Sequence, residues 1–330
     1  MASNLFIKLL ALITNQRLIF PFYHAVCDQA PIHLKHLYKV RSISQFENDI
    51  DFLLKNYTPV SITDIFNHLT QGTSLPKFAF HVSFDDGLKE FKDYAWPILK
   101  KKGIPVSLFI NSSFVDNKEL FYRFKASILI DFIKENPKSA LVIEATRIMG
   151  SMIESVGSFD VFVDRIAYAQ RVVFDDIASY LEIDFNKYLN KEKPYLSLNE
   201  LKELNTDGVH IGAHSLDHPL FNQLNDVEKR VQLVKSVEWV DRIFDQKIKT
   251  FSFPFTDFGI SKNFFSRMYD KENKWVDLSF GTAGIKKERF KNHLQRIPIE
   301  DSPKAIDQQL LQHYLYYLVK APLFKNTIRR

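Results

Sequence analysis

The chain has 330 residues, of which 45% are hydrophobic, and it carries a formal net charge of +5. This length and composition are sufficient to bury one large core, so we expect a single domain that spans residues 1–330. The only cysteine, Cys27, excludes an internal disulfide and agrees with a reducing compartment. The modest charge, with no basic block interleaved with aromatic residues, argues against nucleic acid as a partner.

The N-terminal segment 4–13 is apolar, but Lys8 interrupts it and no small-residue cleavage site follows. It predicts neither a signal peptide nor a membrane span, because a span needs about 20 apolar residues. We therefore expect a cytoplasmic protein. The next apolar run, Leu18 to His24, predicts the first strand, and His24 at its end either lines a site or is a structural histidine.

Helix and strand patterns alternate along the rest of the chain. Ser44 to Glu47 predicts a capping box before a helix, and Ser197 to Glu200 predicts another. Between them, a helix pattern stops at Gly103 before the strand pattern of Ile104 to Ile110. This alternation predicts parallel βα units with functional side chains at the carboxyl ends of the strands.

Two adjacent carboxylates, Asp85 and Asp86, follow the buried strand pattern of Phe80 to Phe84 and precede Gly87. Two like charges at the end of a buried strand are costly unless a cation or a proton compensates them, which favours a metal site. The alternative is that Asp86 caps a helix that begins near Lys89.

Two histidines, His214 and His218, follow another short strand pattern, Val209 to Ala213. A helical turn would place both on one face, and two histidines with one carboxylate are a common catalytic ligand set for zinc-like ions. Such a set leaves a position open for water or substrate. A pair with this spacing is by itself more often structural, but its place after a strand favours metal ligands.

A third strand pattern, Thr250 to Phe253, ends at Pro254. The proline can fix a loop so that the backbone N–H of Phe255 points into a site, or it can simply terminate the strand.

In this order, the three segments resemble the polysaccharide deacetylase family (NodB homology, carbohydrate esterase family 4), in particular its exopolysaccharide-type branch. The family motifs are Thr/Ser-Phe-Asp-Asp-Gly, His-Ser/Thr-x-x-His and Arg-x-Pro-Tyr. Ser83 to Gly87 and His214 to His218 match fully, whereas Ser252 to Phe255 matches at Pro254 and by aromatic type at Phe255. The resemblance extends from about Arg17 to Ile299 and implies the family's distorted (β/α)7 barrel.

The resemblance also implies a chemistry. One divalent metal, usually zinc and sometimes cobalt or nickel, would be held by Asp86, His214 and His218. Asp85 would be the general base that deprotonates the water on this metal. The backbone N–H of Phe255 and the metal would together stabilise the oxyanion. The substrate would be an N-acetylated sugar of a polysaccharide or of a lipid-linked saccharide.

Substrate contacts are implied for His24 and Pro254. His24 ends a Tyr-His sequence, with which related exopolysaccharide deacetylases often begin. Pro254 is the part of the third motif that this chain retains.

Two family features have no direct counterpart in the chain. Ser252 replaces the arginine that pairs with the base, and the late Leu-x-His that supplies the general acid is missing. Arg296, which ends a strand-like run, is a candidate replacement for the arginine, unless it is an ordinary solvated side chain. We predict a metal-dependent deacetylase. The alternatives are a glycan-binding protein of the same fold with little turnover and a hydrolase of another non-peptide C–N bond.

Two further segments lie outside the motifs. Asp86 and His214 are 128 positions apart (214 − 86), and residues 115–194 predict a helical insertion that accounts for this wide spacing. The C-terminal run Tyr314 to Lys320, followed by several cations, suits peripheral contact with an anionic membrane. The alternative is a last helix packed on the barrel with a frayed basic tail.

Overall fold

The computed structural model describes residues 2–150, 157–300 and 302–330, and the structural statements below concern these residues. The chain divides into two compact units. The first comprises residues 1–28, 40–116 and 195–330, and the second comprises residues 29–39 and 117–194.

The first unit contains eleven short strands in the described residues, and all their pairings are parallel. The larger sheet has the order β10-β9-β8-β7-β6-β5-β2-β11, and a smaller sheet has the order β1-β4-β3. The strands are β1 (Leu18–Ile19), β2 (Pro21–Tyr23), β3 (Thr58–Pro59), β4 (Ala79–Phe80), β5 (Val82–Phe84), β6 (Val106–Ile110), β7 (His210–Ala213), β8 (Thr250–Ser252), β9 (Leu278–Gly281), β10 (His293–Gln295) and β11 (Ile297–Pro298).

The larger sheet closes on itself through Arg296. β10 and β11 stand at opposite ends of the strand order, yet only Arg296 separates them in the chain. The segment 293–298 therefore pairs with β9 at its start and with β2 at its end. Counting this segment as one strand leaves seven strand positions (8 − 1). The predicted (β/α)7 barrel is confirmed.

Helices alternate with the strands of the first unit, which confirms the predicted βα repeats. They are Ala2–Thr14, Ile43–Asn56, Ile62–Gln71, Trp96–Lys101, Leu198–Thr206, Asp226–Phe244, Lys262–Met268 and Ile306–Lys320. The central strands β5 and β6 are buried along their whole length, as expected for a parallel sheet that is covered on both faces.

The second unit consists of helices and turns in the part of it that the structure describes. Its helices are Ile32–Lys35, Tyr122–Glu135, Ala140–Ile148, Phe159–Arg165, Val173–Tyr180 and Phe185–Glu192. This unit includes the early segment 29–39 as well as most of the predicted insertion 115–194. Residues 151–156 of that insertion lie outside the described residues.

One of the two predicted capping boxes is displaced in the structure. Ser197 caps its helix with Glu200 as predicted. The earlier box was wrong by two residues, because the capping residue is Ser42 and not Ser44. Ser42 Oγ accepts the backbone N–H of Gln45, and the backbone N–H of Ser42 donates to Gln45 Oε1. The helix therefore begins at Ile43, where Asp28 binds the first backbone N–H.

Gly87 is required by both backbone and packing at the end of β5. Its φ is +67°, and a Cβ there would lie 2.9 Å from Ile110 Cγ2. We expect Gly87→Ala to lower the free energy of unfolding by about 1–3 kcal/mol in urea titrations. Gly72→Ala is the matched control, because Gly72 also has positive φ but meets no atom within 4 Å. Equal losses for the two variants would remove the packing argument.

Candidate functional site

The loop after β5 gives its two adjacent carboxylates different partners. The backbone N–H of Asp85 donates to the carbonyl of Tyr23 at 3.0 Å, which extends the strand pairing by one residue. Asp86 then adopts φ 71°, in the left-handed region, and turns the chain. Helical structure begins at Lys89, as the alternative of a helix cap expects, and a cap by Asp86 on this helix stays a prediction beside the ligand role.

The loop after β7 brings His214 and His218 together without a helical turn. The expected turn is wrong, because Ser215 and His218 have φ values of 72° and 60°. Ser215 Oγ accepts the N–H of His218 at 3.0 Å, and the two imidazole ring centroids are 4.8 Å apart. Local side-chain bonds thus replace the helical spacing as the cause of this proximity.

Asp86 and the two histidines converge on one point. Asp86 Oδ1 lies 3.6 Å from His214 Nε2 and 3.3 Å from His218 Nε2. One ligand atom from each of these buried residues lies within 4.8 Å of the others. His214 Nδ1 donates to the carbonyl of Ser252 at 2.8 Å, so the lone pair is on Nε2, facing Asp86.

Burial keeps both imidazoles neutral. Desolvation lowers the pKa of His214 to about 4, and Asp85 opposes this shift only in part. Desolvation and the charge on His24 lower the pKa of His218 to about 3. Neutral imidazole is the form that binds a divalent cation, so this donor set fits the metal that the sequence predicts.

Asp85 is held by a buried arginine. Arg296 Nη1 donates to Asp85 Oδ1 at 2.7 Å, and Nη2 donates to Oδ2 at 2.6 Å. The Arg296 side chain has no exposed surface, and its guanidinium lies 4.1 Å from the Phe22 ring. Burial raises the pKa of Asp85, but the charge and hydrogen bonds of Arg296 outweigh it and hold this pKa below the usual range. The carboxylate is therefore ionised and fixed in orientation.

Two serines complete the surroundings of this ion pair. Arg296 Nη2 also donates to Ser252 Oγ at 2.6 Å, and Nη1 donates to Ser83 Oγ at 3.1 Å. Ser252 Oγ is in turn 3.4 Å from Asp85 Oδ2. Position 252, where the resemblance expects an arginine, therefore touches the arginine that the chain has at 296.

The third motif forms a tight turn beside the second histidine. The N–H of Thr256 donates to the carbonyl of Pro254 at 2.6 Å, and Phe255 between them has φ 56°. The Phe255 ring meets His218 edge-on at 4.5 Å between centroids and is 42% exposed. Thr282 Oγ1 donates to the carbonyl of Phe255 at 3.1 Å and holds this turn in place.

His24 stands next to Asp85 along the sheet, because Tyr23 on β2 pairs with Phe84 on β5. Its Nδ1 lies 2.8 Å from Glu300 Oε2, and its backbone N–H donates to the same oxygen at 2.9 Å. Burial alone would lower the pKa of His24, but the Glu300 carboxylate raises it to about 9, with smaller contributions from Asp86 and Asp85. The imidazole is therefore a cation at neutral pH.

Sequence reasoning missed two residues that support the site. Asn111, directly after β6, donates to the carbonyl of His214 and to Ser215 Oγ, and so it fixes the histidine loop. Glu300, two residues after β11, binds His24. Both residues follow strands of the barrel. A polar residue just beyond a strand end could therefore have indicated, from the sequence alone, that it belongs to the site.

A second cluster of acids and a histidine involves the C-terminal residue. Asp257, Glu288 and His293 lie close enough to share a cation. Arg330 Nη2 donates to Asp257 Oδ2 and, at 2.7 Å, to Glu288 Oε2, so a guanidinium already occupies this position. The frayed basic tail is wrong, because Arg330 is buried in this network and Ile328 binds the backbone of Lys287.

Comparisons with known proteins agree with the barrel and with two of the three motifs. Residues 171–268 match a family described as polysaccharide deacetylase. This segment contains the histidine pair and the Pro254 turn, whereas Asp85 and Asp86 lie outside it. A search of curated protein sequences gave no significant match.

Solved structures of deacetylases share the fold at low sequence identity. The deacetylase PplD of Streptococcus pyogenes, determined with acetate, is 15% identical with a TM-score of 0.54, covering 90% of this chain and 97% of its own. IcaB of Ammonifex degensii is also 15% identical with a TM-score of 0.54, covering 91% and 96%. A de-N-acetylase of Aggregatibacter actinomycetemcomitans is 15% identical with a TM-score of 0.53, covering 90% and 99%. Residues 171–268 are thus similar to the polysaccharide deacetylase family, and the chain shares the barrel fold of solved deacetylases.

Proposed function

We propose that this enzyme is a metal-dependent de-N-acetylase of sugars in a polysaccharide or a lipid-linked saccharide. The observation that carries the proposal is the placement of an ionised, arginine-bound Asp85 beside the convergent ligand set of Asp86, His214 and His218. Two similar structures, a de-N-acetylase and a deacetylase bound to acetate, support the same reaction.

Asp86, His214 and His218 would hold the metal, most simply zinc, with cobalt or nickel as substitutes. When bound, a divalent cation there supplies Lewis acidity towards the attacking water and the acetyl carbonyl. The hydrogen bond from His214 to the Ser252 carbonyl fixes the ring, so that Nε2 is the atom that would bind the metal.

Asp85 is proposed as the general base. Its Oδ2 lies 3.8 Å from His214 Nε2, so it borders the metal position without belonging to the ligand cluster. Arg296 keeps this carboxylate ionised and oriented, so that it can take a proton from the attacking water. The low pKa that the ion pair imposes makes Asp85 a weak base, which suits a water already acidified by a cation.

Phe255 is proposed to contribute through its backbone and its ring. The turn at Pro254 and the bond from Thr282 fix the peptide of Phe255, whose N–H would donate to the developing oxyanion. Its exposed ring beside His218 offers an apolar surface on which a sugar face can stack.

His24 is the proposed proton donor to the amine leaving group. It is the cationic imidazole that follows the strand next to Asp85, and Glu300 orients its ring through Nδ1. In this proposal His24 replaces the general acid that the missing Leu-x-His motif would have supplied.

Acetate release from N-acetylglucosamine oligomers or from a lipid-linked N-acetyl sugar, with zinc supplied, tests the function. We expect turnover by the wild type and a loss of about 10²–10⁴-fold in Asp85→Asn, which keeps the shape but removes the base. Metal binding by the wild type with no acetate release from any glycan would favour the glycan-binding alternative. Hydrolysis of a small cyclic amide but not of sugars would select the other C–N hydrolase.

The role of His24 predicts a pH dependence. Since its protonated form donates, activity should fall as pH rises through the raised pKa of about 9. In Glu300→Gln the main cause of the raised pKa is lost, so this basic limb should move towards 6.5, the ordinary histidine value. Profiles of kcat/KM against pH measure the shift. An unchanged basic limb in Glu300→Gln would remove His24 from the proposed role, whatever the change in rate at neutral pH.

A further inference from the structure

The N-terminal helix Ala2–Thr14 exposes a continuous apolar stripe. One side of the helix is buried in the protein through Ile7, Leu10 and Ala11. The opposite side consists of side chains that are 40–75% exposed, namely Leu5, Phe6, Leu9, Leu12 and Ile13. At 100° per residue these five positions fall within about 120° of arc, and the stripe contains no polar residue.

The C-terminal helix Ile306–Lys320 packs against the N-terminal helix and also exposes apolar side chains. Tyr314 Oη joins the two by donating to the carbonyl of Gln16 at 2.8 Å. This helix and the turn after it expose a second set of large apolar side chains, which are Leu315, Tyr316, Val319, Leu323 and Phe324. Exposed apolar surface on two packed helices is more than the scattered single residues that soluble proteins normally show.

The charges on these two segments have one sign. No aspartate or glutamate occurs in residues 1–27 or in residues 308–330. These stretches contain Lys8, Arg17, Lys320, Lys325, Arg329 and Arg330. Arg330 is used internally, but among the described residues no carboxylate forms an ion pair with Lys8, Lys320 or Lys325. Lys8 and Lys320 lie instead 5.8 Å and 5.1 Å from the aromatic rings of Phe78 and Tyr316.

We propose that the N-terminal helix, together with the C-terminal helix packed on it, docks this enzyme onto an anionic lipid surface. Aliphatic side chains flanked by lysines and aromatic rings, without acids, are the composition that enters the headgroup boundary of a bilayer. No helix in the described part of the chain is long and apolar enough to cross a membrane, so the contact is peripheral. A second copy of the chain would have to accept the same unpaired positive charges and is less well matched. The inference does not depend on the proposed reaction.

Sedimentation of the 330-residue chain with vesicles tests this surface. We expect binding to phosphatidylcholine vesicles that contain roughly one-third phosphatidylglycerol, much weaker binding to phosphatidylcholine alone, and release of the protein by high salt. Replacing Leu5, Leu9 and Ile13 together with glutamine, which keeps helix propensity, should weaken binding by about tenfold or more. Lys320→Gln with Lys325→Gln should weaken binding to the anionic vesicles alone.

The chain provides a matched control in its second unit. Ile143 and Ile148 are 58% and 56% exposed, and glutamine at both positions should leave vesicle binding unchanged. Thermal unfolding of each variant separates loss of the surface from loss of the fold. Wild-type binding that the stripe substitutions do not reduce would overturn the proposal, as would no binding by the wild type. If the wild type is a dimer that does not bind vesicles, and the stripe substitutions make it a monomer in size-exclusion chromatography, the stripe is a contact with a second copy.

Discussion

Arg296→Ser is expected to remove acetate release almost completely and to destabilise the protein. It would leave Asp85 buried and without its bidentate partner, and breaking a buried ion pair in this way costs about 3–5 kcal/mol. The carboxylate would regain neutrality by protonation and could no longer act as a base. We expect kcat/KM to fall by about 10²–10⁴-fold and the urea midpoint to fall with it.

A second substitution can restore the arrangement that the family resemblance implies. Ser252 Oγ touches both Arg296 Nη2 and Asp85 Oδ2, so an arginine side chain at 252 starts beside the place that the present guanidinium occupies. We expect the double variant Arg296→Ser with Ser252→Arg to recover part of the stability and activity lost in Arg296→Ser alone. Arg296→Lys is the control for charge without the planar fork, and it should recover less turnover than stability.

The outcome separates catalysis from packing. If Arg296 only fills the barrel, an apolar Arg296→Met variant should retain acetate release, and the arginine at 252 should restore nothing. If it orients the base, turnover will follow the presence of a guanidinium at either position. Metal content should stay the same in all these variants, because Arg296 contacts none of the three proposed ligands directly.

Sequence patterns predicted the βα alternation and brought attention to Asp86, His214 and His218, which the structure places close together, and the family resemblance added the barrel. Abrupt strand ends at Asp85 and His214, each followed by a turn, predicted that both residues lie at the carboxyl edge of a parallel barrel. The order of strand and turn along the chain is enough to identify the carboxyl end of each strand. The seventh strand position was harder to predict. The barrel closes because the residues before Arg296 pair with β9 and the residues after it pair with β2. Pairing between strands that are distant in sequence cannot be predicted from local patterns.

The partners of each functional side chain were mostly beyond prediction. His24 and Glu300 are 276 residues apart in sequence, and only barrel closure brings them together. Arg296 could be named as a candidate, but its bidentate bond to Asp85 required the fold. The helical turn expected at His214 and His218 was wrong for another reason: Ser215 competes for the backbone and stabilises a left-handed loop.

His214→Ala is expected to abolish stoichiometric metal binding. Three protein ligands are the minimum of a catalytic zinc site, and a ring held through Nδ1 by the Ser252 carbonyl is a preorganised donor that alanine cannot replace. Zinc content after dialysis, measured by mass spectrometry, should fall from about one ion per chain to a small fraction, since losing one of three ligands sharply weakens the site. Asp86→Asn should behave in the same way, because it removes the charged ligand without changing shape.

The neighbouring residues make this test specific to the proposed ligands. His210→Asn, four residues earlier, should keep the metal, since His210 Nε2 is bound to Thr250 Oγ1 at 2.8 Å and not to Asp86. Asp85→Asn should also keep the metal while it loses turnover, although Asp85 is adjacent to Asp86 in sequence. Metal loss in Asp85→Asn but not in Asp86→Asn would exchange the roles of the two carboxylates. Unchanged metal in His214→Ala would exclude this cluster as the metal site, and Asp85, a weak base, would then lack a neighbouring cation to acidify the attacking water.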